Sequence, residues 1–258
     1  PNPGAMTQVA LAPCSPFSVT ESLMRETGIM AARHGVRLHT HLCETQDEEA
    51  WCRQHFGCRP VDYLERVGWL NERVWLAHGI WFDDGEIGRL GGAGVAVSHC
   101  PTSNMILASG CCPALKLEAA GAPVGLGVDG SASNDSSNLI EAVRHAFLLQ
   151  RLQHGAERIS HRDALRWATQ GSAACLGRPD LGVIAPGKAA DLALFRLDEL
   201  RYSGAGDPLA ALVLCGASRA DRVMVAGRWV VEDGAIPGLD LAALRRDHQA
   251  AARRLLVS

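Results

Sequence analysis

Val36-Arg-Leu-His39-Thr-His41-Leu-Cys-Glu44 is a short strand that ends in chemistry. Alternation of side chains sets His39, His41 and Cys43 on one side of the strand, so that His41 stands at its exit and can offer a nitrogen to a metal. Glu44 lies just beyond, where the chain leaves the sheet, in a place suited to carrying a proton. Four other stretches finish in the same way, with a polar or reactive residue after a short apolar run: Thr7 to Cys14, Val74 to His78, Val95 to His99 and Val124 to Asp129. A strand buried on both faces can carry little chemistry except at its exit. The exits hold His41, Glu44, His78, His99 and Asp129, and at corresponding ends of parallel strands these would converge on one spot with the composition of a metal-assisted hydrolytic site.

Between the strands the chain reads as helix, which predicts a parallel sheet with helical crossovers. Ser18 or Thr20 caps a helix over 22–34 that Gly35 stops. Further helices are expected over 46–56, 60–67, 85–90 (capped by Asp83 or Asp84), 115–120, 139–152 and 161–174, with strands over 7–12, 36–42, 73–77, 95–98 and 124–128. After Pro179 the signals change to short β segments and turns, including a hairpin turning on Gly227-Arg228, followed by an Arg-rich amphipathic helix over 241–256. Two domains are therefore expected, 1–180 and a β-rich appendage over 181–258 with a C-terminal helix. Pro1-Asn-Pro-Gly4 reads as a loop and has no features of a secretory signal.

The bulk properties exclude several classes. A chain of 258 residues with 47% hydrophobic content can bury one large core with a small satellite. A net charge of -3 offers no basic footprint for a nucleic-acid polymer and no polybasic patch for a membrane. No apolar run approaches the ~18 residues of a membrane helix. The nine cysteines are odd in number and lack C-x-x-C spacing, which points to free thiols and a cytoplasmic location. Cys43, Cys100 and the adjacent Cys111-Cys112 read as packing, since neighbouring cysteines chelate one ion poorly.

Each candidate also has a plainer reading. His78 either polarises a carbonyl or ring nitrogen, or orients a water, or is a buried imidazole bonded to backbone. Asp129 follows so apolar a strand that its charge needs a strong partner, either a metal or the N-terminus of the next helix. His99, Ser103 and Asn104, with Ser131 and Asn134, could meet the edge of a heterocycle, or simply form turns.

Taken in order, H-x-x-E at His41 and Glu44, A-H-G around His78, S-H-C-P-x-S-N over 98–104, G-x-D-G-x-x-S-N over 127–134 and A-P-G-K-A-A-D-L over 185–192 resemble the amidohydrolase superfamily, in its deaminase and chlorohydrolase branch. The wording of 11–18 and 127–135 is most similar to 8-oxoguanine deaminases. The resemblance implies a TIM-type (β/α)8 metal-dependent hydrolase barrel with a small β-rich appended domain, and one divalent metal, zinc or alternatively iron, bound by His41 and Asp129. It implies that Glu44 shuttles protons, that His78 hydrogen-bonds the attacking water or the tetrahedral oxygen, and that Asp129 also accepts the water's proton. The implied reaction is attack of metal hydroxide on a purine-type base with loss of ammonia: 8-oxoguanine to urate, or guanine or isocytosine. The partner is then a small heterocyclic base, with homo-oligomerisation left open.

One feature departs from that pattern. Such enzymes start with an H-x-H pair on their first barrel strand, and none precedes His39, whose own H-x-H belongs by motif order to the fifth strand. The strands present are then about the fourth to the eighth, and the chain reads as the C-terminal portion of a larger enzyme, inactive alone. Hydrolysis of an s-triazine is the alternative within the class. Outside it stand a catalytically dead amidohydrolase-like binding protein and an interaction protein working through the appendage and the Arg-rich tail.

Overall fold

The computed structural model describes residues 5–256; the expected loop over residues 1–4 lies outside them. The first compact unit runs to Ala189 and takes in Leu197–Ser218, and the second comprises Ala190–Arg196 and the chain from Arg219 onward. The boundary expected after residue 180 thus falls later, and a helix that the reading of 181–258 had not anticipated returns to the first unit.

That unit is built on β1 (Ala10–Leu11), α1 (Glu21–His34), β2 (Arg37–Leu42), α2 (Gln46–Phe56), α3 (Pro60–Arg66), β3 (Val74–His78), α4 (Asp84–Gly92), β4 (Ala96–His99), α5 (Pro101–Ile106), α6 (Ala114–Ala119), β5 (Val124–Leu126), α7 (Leu139–His154), α8 (His161–Arg166), α9 (Ser172–Cys175) and α10 (Pro208–Leu214). The five strands pair in parallel in the order β1-β2-β3-β4-β5. Sequential parallel pairing with helical crossovers is the arrangement of a (β/α) barrel, of which this is a five-strand arc.

Local signals set most boundaries. Thr20 Oγ1 accepts the Leu23 N–H to open α1, and Gly35 closes it in the left-handed conformation. Asp83 and Glu86 form a capping box at α4. Three elements differ from expectation. The Pro101–Ile106 stretch, for which a substrate-edge contact and a turn were both open, is the six-residue helix α5, with Pro at its first position. The helix over 161–174 is interrupted by a π turn at Trp167–Gly171, where Gly171 packs directly on the backbone of Val124. α10 is capped by Asp207 with Pro at its start.

The core lies between the helices and one face of the sheet. Leu38, Leu42, Val74, Leu76, Val97, Val124 and Leu126 face helices there, and Ala142, Val143, Ala146 and Phe147 are the buried stripe of α7. Each such side chain contributes about 1.5–3 kcal/mol of transfer free energy on burial. The register pairs His41 with Ala77 and Ala77 with Ser98, so these residues share the opposite face.

The second unit holds an antiparallel sheet of β6 (Leu192–Leu194), β7 (Arg222–Val225) and β8 (Arg228–Val231), in that order, and α11 (Leu241–Leu256). The hairpin turns on Ala226-Gly227, one residue earlier than expected. Both residues have positive φ (48° and 78°), which a two-residue turn of this hand requires and which glycine accepts at the second position. Among the described residues no helix is long and apolar enough to cross a membrane. All nine cysteines are free.

Candidate metal centre

The strand exits converge. One ligand atom each from His41, His78 and Asp129 lies within 4.8 Å of the others. His78 Nε2 is 3.5 Å from Glu44 Oε2 and 3.8 Å from Asp129 Oδ2. The rings of His41 and His78 stack at 5.3 Å, and His39 lies behind them, stacked on Trp75 at 4.7 Å.

Backbone conformation aims these groups. Cys43, His78 and Asp129, at the ends of three strands, all have positive φ (53°, 68° and 64°) although none is glycine. Such conformations cost on the order of 1–3 kcal/mol each and persist only where the surroundings impose them. Strict alternation would put His78 with Val74 and Leu76 on the helix-covered face; the left-handed turn brings its ring to Glu44 and Asp129 instead. Gly79 follows with φ 59°, and a Cβ there would stand 2.8 Å from both Phe82 and Val97 side chains, so the A-H-G glycine is required by space as well as by conformation.

Both imidazoles are tied at Nδ1. His41 Nδ1 lies 2.7 Å from the Cys14 carbonyl oxygen, and His78 Nδ1 lies 2.9 Å from Asn104 Oδ1. Because these oxygens only accept, each Nδ1 carries a proton and Nε2 is left to face the site. Asp129 Oδ2 accepts hydrogen bonds from Ser103 Oγ at 2.6 Å and Ser133 Oγ at 3.1 Å. Burial pushes its carboxyl up, but the Ser103 hydroxyl, the Gly130 N–H, the His78 ring and the Ser133 hydroxyl together hold it below the ordinary carboxylate value. The His41 imidazole and the Asp129 carboxylate form a nitrogen and oxygen donor pair suited to zinc or another divalent ion, with His78 Nε2 beside it facing Glu44 and Asp129.

Glu44 is positioned from behind. Its backbone N–H donates to Glu48 Oε2 at 3.0 Å, and Glu48 is buried to 1% exposure on the first turn of α2. Burial pushes the Glu48 carboxyl up to about 7, against the N–H groups of Cys43 and Glu44, with the Glu44 carboxylate adding to the rise.

The five remaining candidates divide. Ser103 is buried and touches Asp129. Asn104 is fully buried against His78. Asn134 is buried too and donates through Nδ2 to the Val128 carbonyl at 2.8 Å, so it shapes the loop after β5, whereas Ser131 is exposed. His99 shares the core face of β4 with Val97 and is fully buried, with neither ring nitrogen partnered among the described residues. Burial and the neighbouring His78 push its pKa down to about 3, so it is neutral. Ser133 and Glu48 were missed by sequence reasoning. Each lies four residues beyond a strand-exit carboxylate, Asp129 and Glu44, which was the available signal.

The parallel sheet and its strand-exit cluster are those of a (β/α) barrel with a donor set suited to a metal, and the chain belongs to the amidohydrolase family, whose pattern matches residues 1–230. It is 66% identical to the 8-oxoguanine deaminase of Pseudomonas aeruginosa over 98% of this chain and 56% of that protein. It is 41% identical to the hydroxydechloroatrazine ethylaminohydrolase of Pseudomonas sp. strain ADP over 99% of this chain and 54% of that protein. The crystal structure of an atrazine chlorohydrolase from Arthrobacter aurescens TC1 complexed with zinc superposes with a TM-score of 0.93 at 38% identity, covering 97% of this chain and 56% of that one. The chain therefore spans about half the length of the relatives it matches.

Proposed function

We propose that the complete protein is a metal-dependent aminohydrolase that converts 8-oxoguanine to urate and ammonia, and that this chain carries the proton-handling half of its site. The observation that supports this reading is the convergence of Glu44 and Asp129 on His78 Nε2, at 3.5 and 3.8 Å, beside His41. The similarity to an 8-oxoguanine deaminase at 66% identity supports the choice of substrate.

In this reading His41 and Asp129 hold one divalent metal. When bound, the metal supplies Lewis acidity that makes hydroxide available near neutral pH. Asp129 accepts the proton of the attacking water, its charge kept in place by Ser103 and Ser133. His78 faces the oxygen that adds to the ring carbon through Nε2, which lies between the Glu44 and Asp129 carboxylates and, carrying a proton passed from one of them, donates a hydrogen bond to that oxygen as the carbon becomes tetrahedral. Glu44, a quarter exposed and so able to face both solvent and substrate, passes the water's proton, received from Asp129, to the ring nitrogen and then moves the remaining hydroxyl proton of the tetrahedral carbon to the leaving amine. Ammonia departs and the carbonyl forms.

A second reading, removal of an amine or chloride from an s-triazine, draws on the 41% identical ethylaminohydrolase and the superposed chlorohydrolase. It needs the same proton transfers and a different pocket. The test is ammonia, alkylamine and chloride release by the complete protein, with its metal content measured, from 8-oxoguanine, guanine, isocytosine and a panel of triazines. Turnover of 8-oxoguanine above the rest is expected. Preference for a triazine would favour the second reading, and no turnover of any by metal-replete protein would discard both.

A further inference from the structure

We propose that Ser103 is a positioning residue for Asp129: its hydroxyl fixes which of the two carboxylate oxygens turns to the metal, and so sets how tightly the metal is held. The inference rests on the reading above in which Asp129 is a metal ligand, and deepens it with a residue that itself touches neither metal nor substrate.

A free aspartate carboxylate turns about its last bond at little cost and offers either oxygen. In this site the turn is blocked. Ser103 Oγ lies 2.6 Å from Asp129 Oδ2, and Ser133 Oγ stands 2.8 Å from Ser103 Oγ and 3.1 Å from the same Oδ2. A hydroxyl has one proton to give, and the charged oxygen at the shorter distance takes that of Ser103. Both hydroxyls thus meet on Oδ2, the oxygen 3.8 Å from His78 Nε2, and Oδ1 is the one left for a metal.

The Ser103 hydroxyl is itself held in place. Ser103 is fully buried on α5, where the Asn104 N–H donates to the Cys100 carbonyl and the Leu107 N–H to the Ser103 carbonyl, each at 2.9 Å. The residues on either side pin the same turn: Thr102 Oγ1 lies 2.9 Å from His145 Nδ1 on α7, and Asn104 Oδ1 lies 2.9 Å from His78 Nδ1. Ser133 stands on a loop closed by its own N–H and that of Asn134 on the Gly130 carbonyl, both at 3.1 Å. Consecutive residues of one short helix therefore reach two strand exits, Ser103 that of β5 and Asn104 that of β3. Without the Ser103 hydroxyl the carboxylate keeps only the longer contact to Ser133, and a metal must order its own ligand as it binds.

The test is the zinc affinity of the complete protein, stripped of metal and titrated in competition with a chromogenic chelator. Ser103→Ala should weaken zinc binding roughly 10- to 100-fold, as loss of an outer-shell partner of a metal ligand does. Thr102→Val removes the neighbouring buried hydroxyl and loosens α5 without touching Asp129, and should bind zinc as the unmodified protein does. Unchanged affinity in Ser103→Ala overturns the proposal, and so does an equal loss in both variants, which would make α5 a general support. Should Ser103→Ala not fold, a crystal structure of the zinc-loaded unmodified protein decides: zinc on Oδ1 with Ser103 on Oδ2 is expected, and zinc on Oδ2 or on both oxygens overturns the proposal. A complete protein that binds no zinc defeats the reading of Asp129 as a ligand and this inference with it. Zinc binding that weakens as expected in a protein that deaminates nothing defeats only the function proposed above.

Discussion

Glu48→Gln tests whether a buried carboxylate anchors the Glu44 loop. Glu48 is fully enclosed, with Oε2 on the Glu44 N–H and Oε1 unpartnered among the described residues, and its pKa is raised from 4.5 to about 7 by burial. The sign follows from linkage. A carboxyl whose pKa is higher in the folded state binds protons more tightly there, so the fold bears no penalty below the unfolded pKa. The penalty grows between 4.5 and about 7, and is complete above about 7. At about 1.4 kcal/mol per pK unit the full cost is roughly 3 kcal/mol, and roughly 2.5 kcal/mol of it develops between about pH 5 and about pH 8. Glutamine cannot ionise and escapes this cost. Denaturant unfolding of both proteins at those two pH values should therefore show the stability of Glu48→Gln relative to the parent rising by about 2–3 kcal/mol from the lower to the higher pH. A stability difference that stays constant with pH would refute the assignment of a raised Glu48.

Glu44→Gln removes the proton carrier while leaving its backbone anchor intact, and should lower kcat for the proposed deamination by about 10²–10⁴ with an unchanged unfolding midpoint, read by ammonia release and thermal denaturation. Arg59→Met strips the charged partner of the 3%-exposed Glu86 carboxylate, with its two hydrogen bonds at 2.8 and 2.7 Å, and leaves it only the Asp83 N–H at 2.9 Å. An unpaired buried charge costs about 3–5 kcal/mol, which denaturant titration would detect. Gly171→Ala places a methyl group against the Val124 carbonyl inside the π turn and should destabilise by about 3 kcal/mol; an unchanged midpoint would mean that the helix and β5 can separate freely.

Where an element is set by neighbouring residues, the chain could be read directly. α2 and α11 fall where periodicity places them, and α1 and α4 start and stop at Thr20, Gly35 and Asp83, because capping is a matter of a few adjacent atoms. The exits at His41, His78 and Asp129 were legible for a related reason, since a short apolar run that ends in His or Asp can bring its reactive residue to the mouth of a parallel sheet, whereas His99, expected to join them, lies buried on the core face of β4. The helix beginning at Pro101 was not anticipated because so short a helix has no periodicity, and its stability comes from what it packs on.

Sequence alone therefore determined the order of strands and helices and, with the ordered motifs, the family, and it singled out His41, Glu44, His78 and Asp129, which the structure brings together. Tertiary structure decided which way those groups face and what holds them. The left-handed turns at Cys43, His78 and Asp129, the tie from Asn104 to His78 across 26 positions and the Ser103 hydroxyl on Asp129 across another 26 exist only once distant strands lie side by side. Hydrogen bonds reach about 3 Å, and no local pattern specifies which residues from elsewhere in the chain will come within that distance.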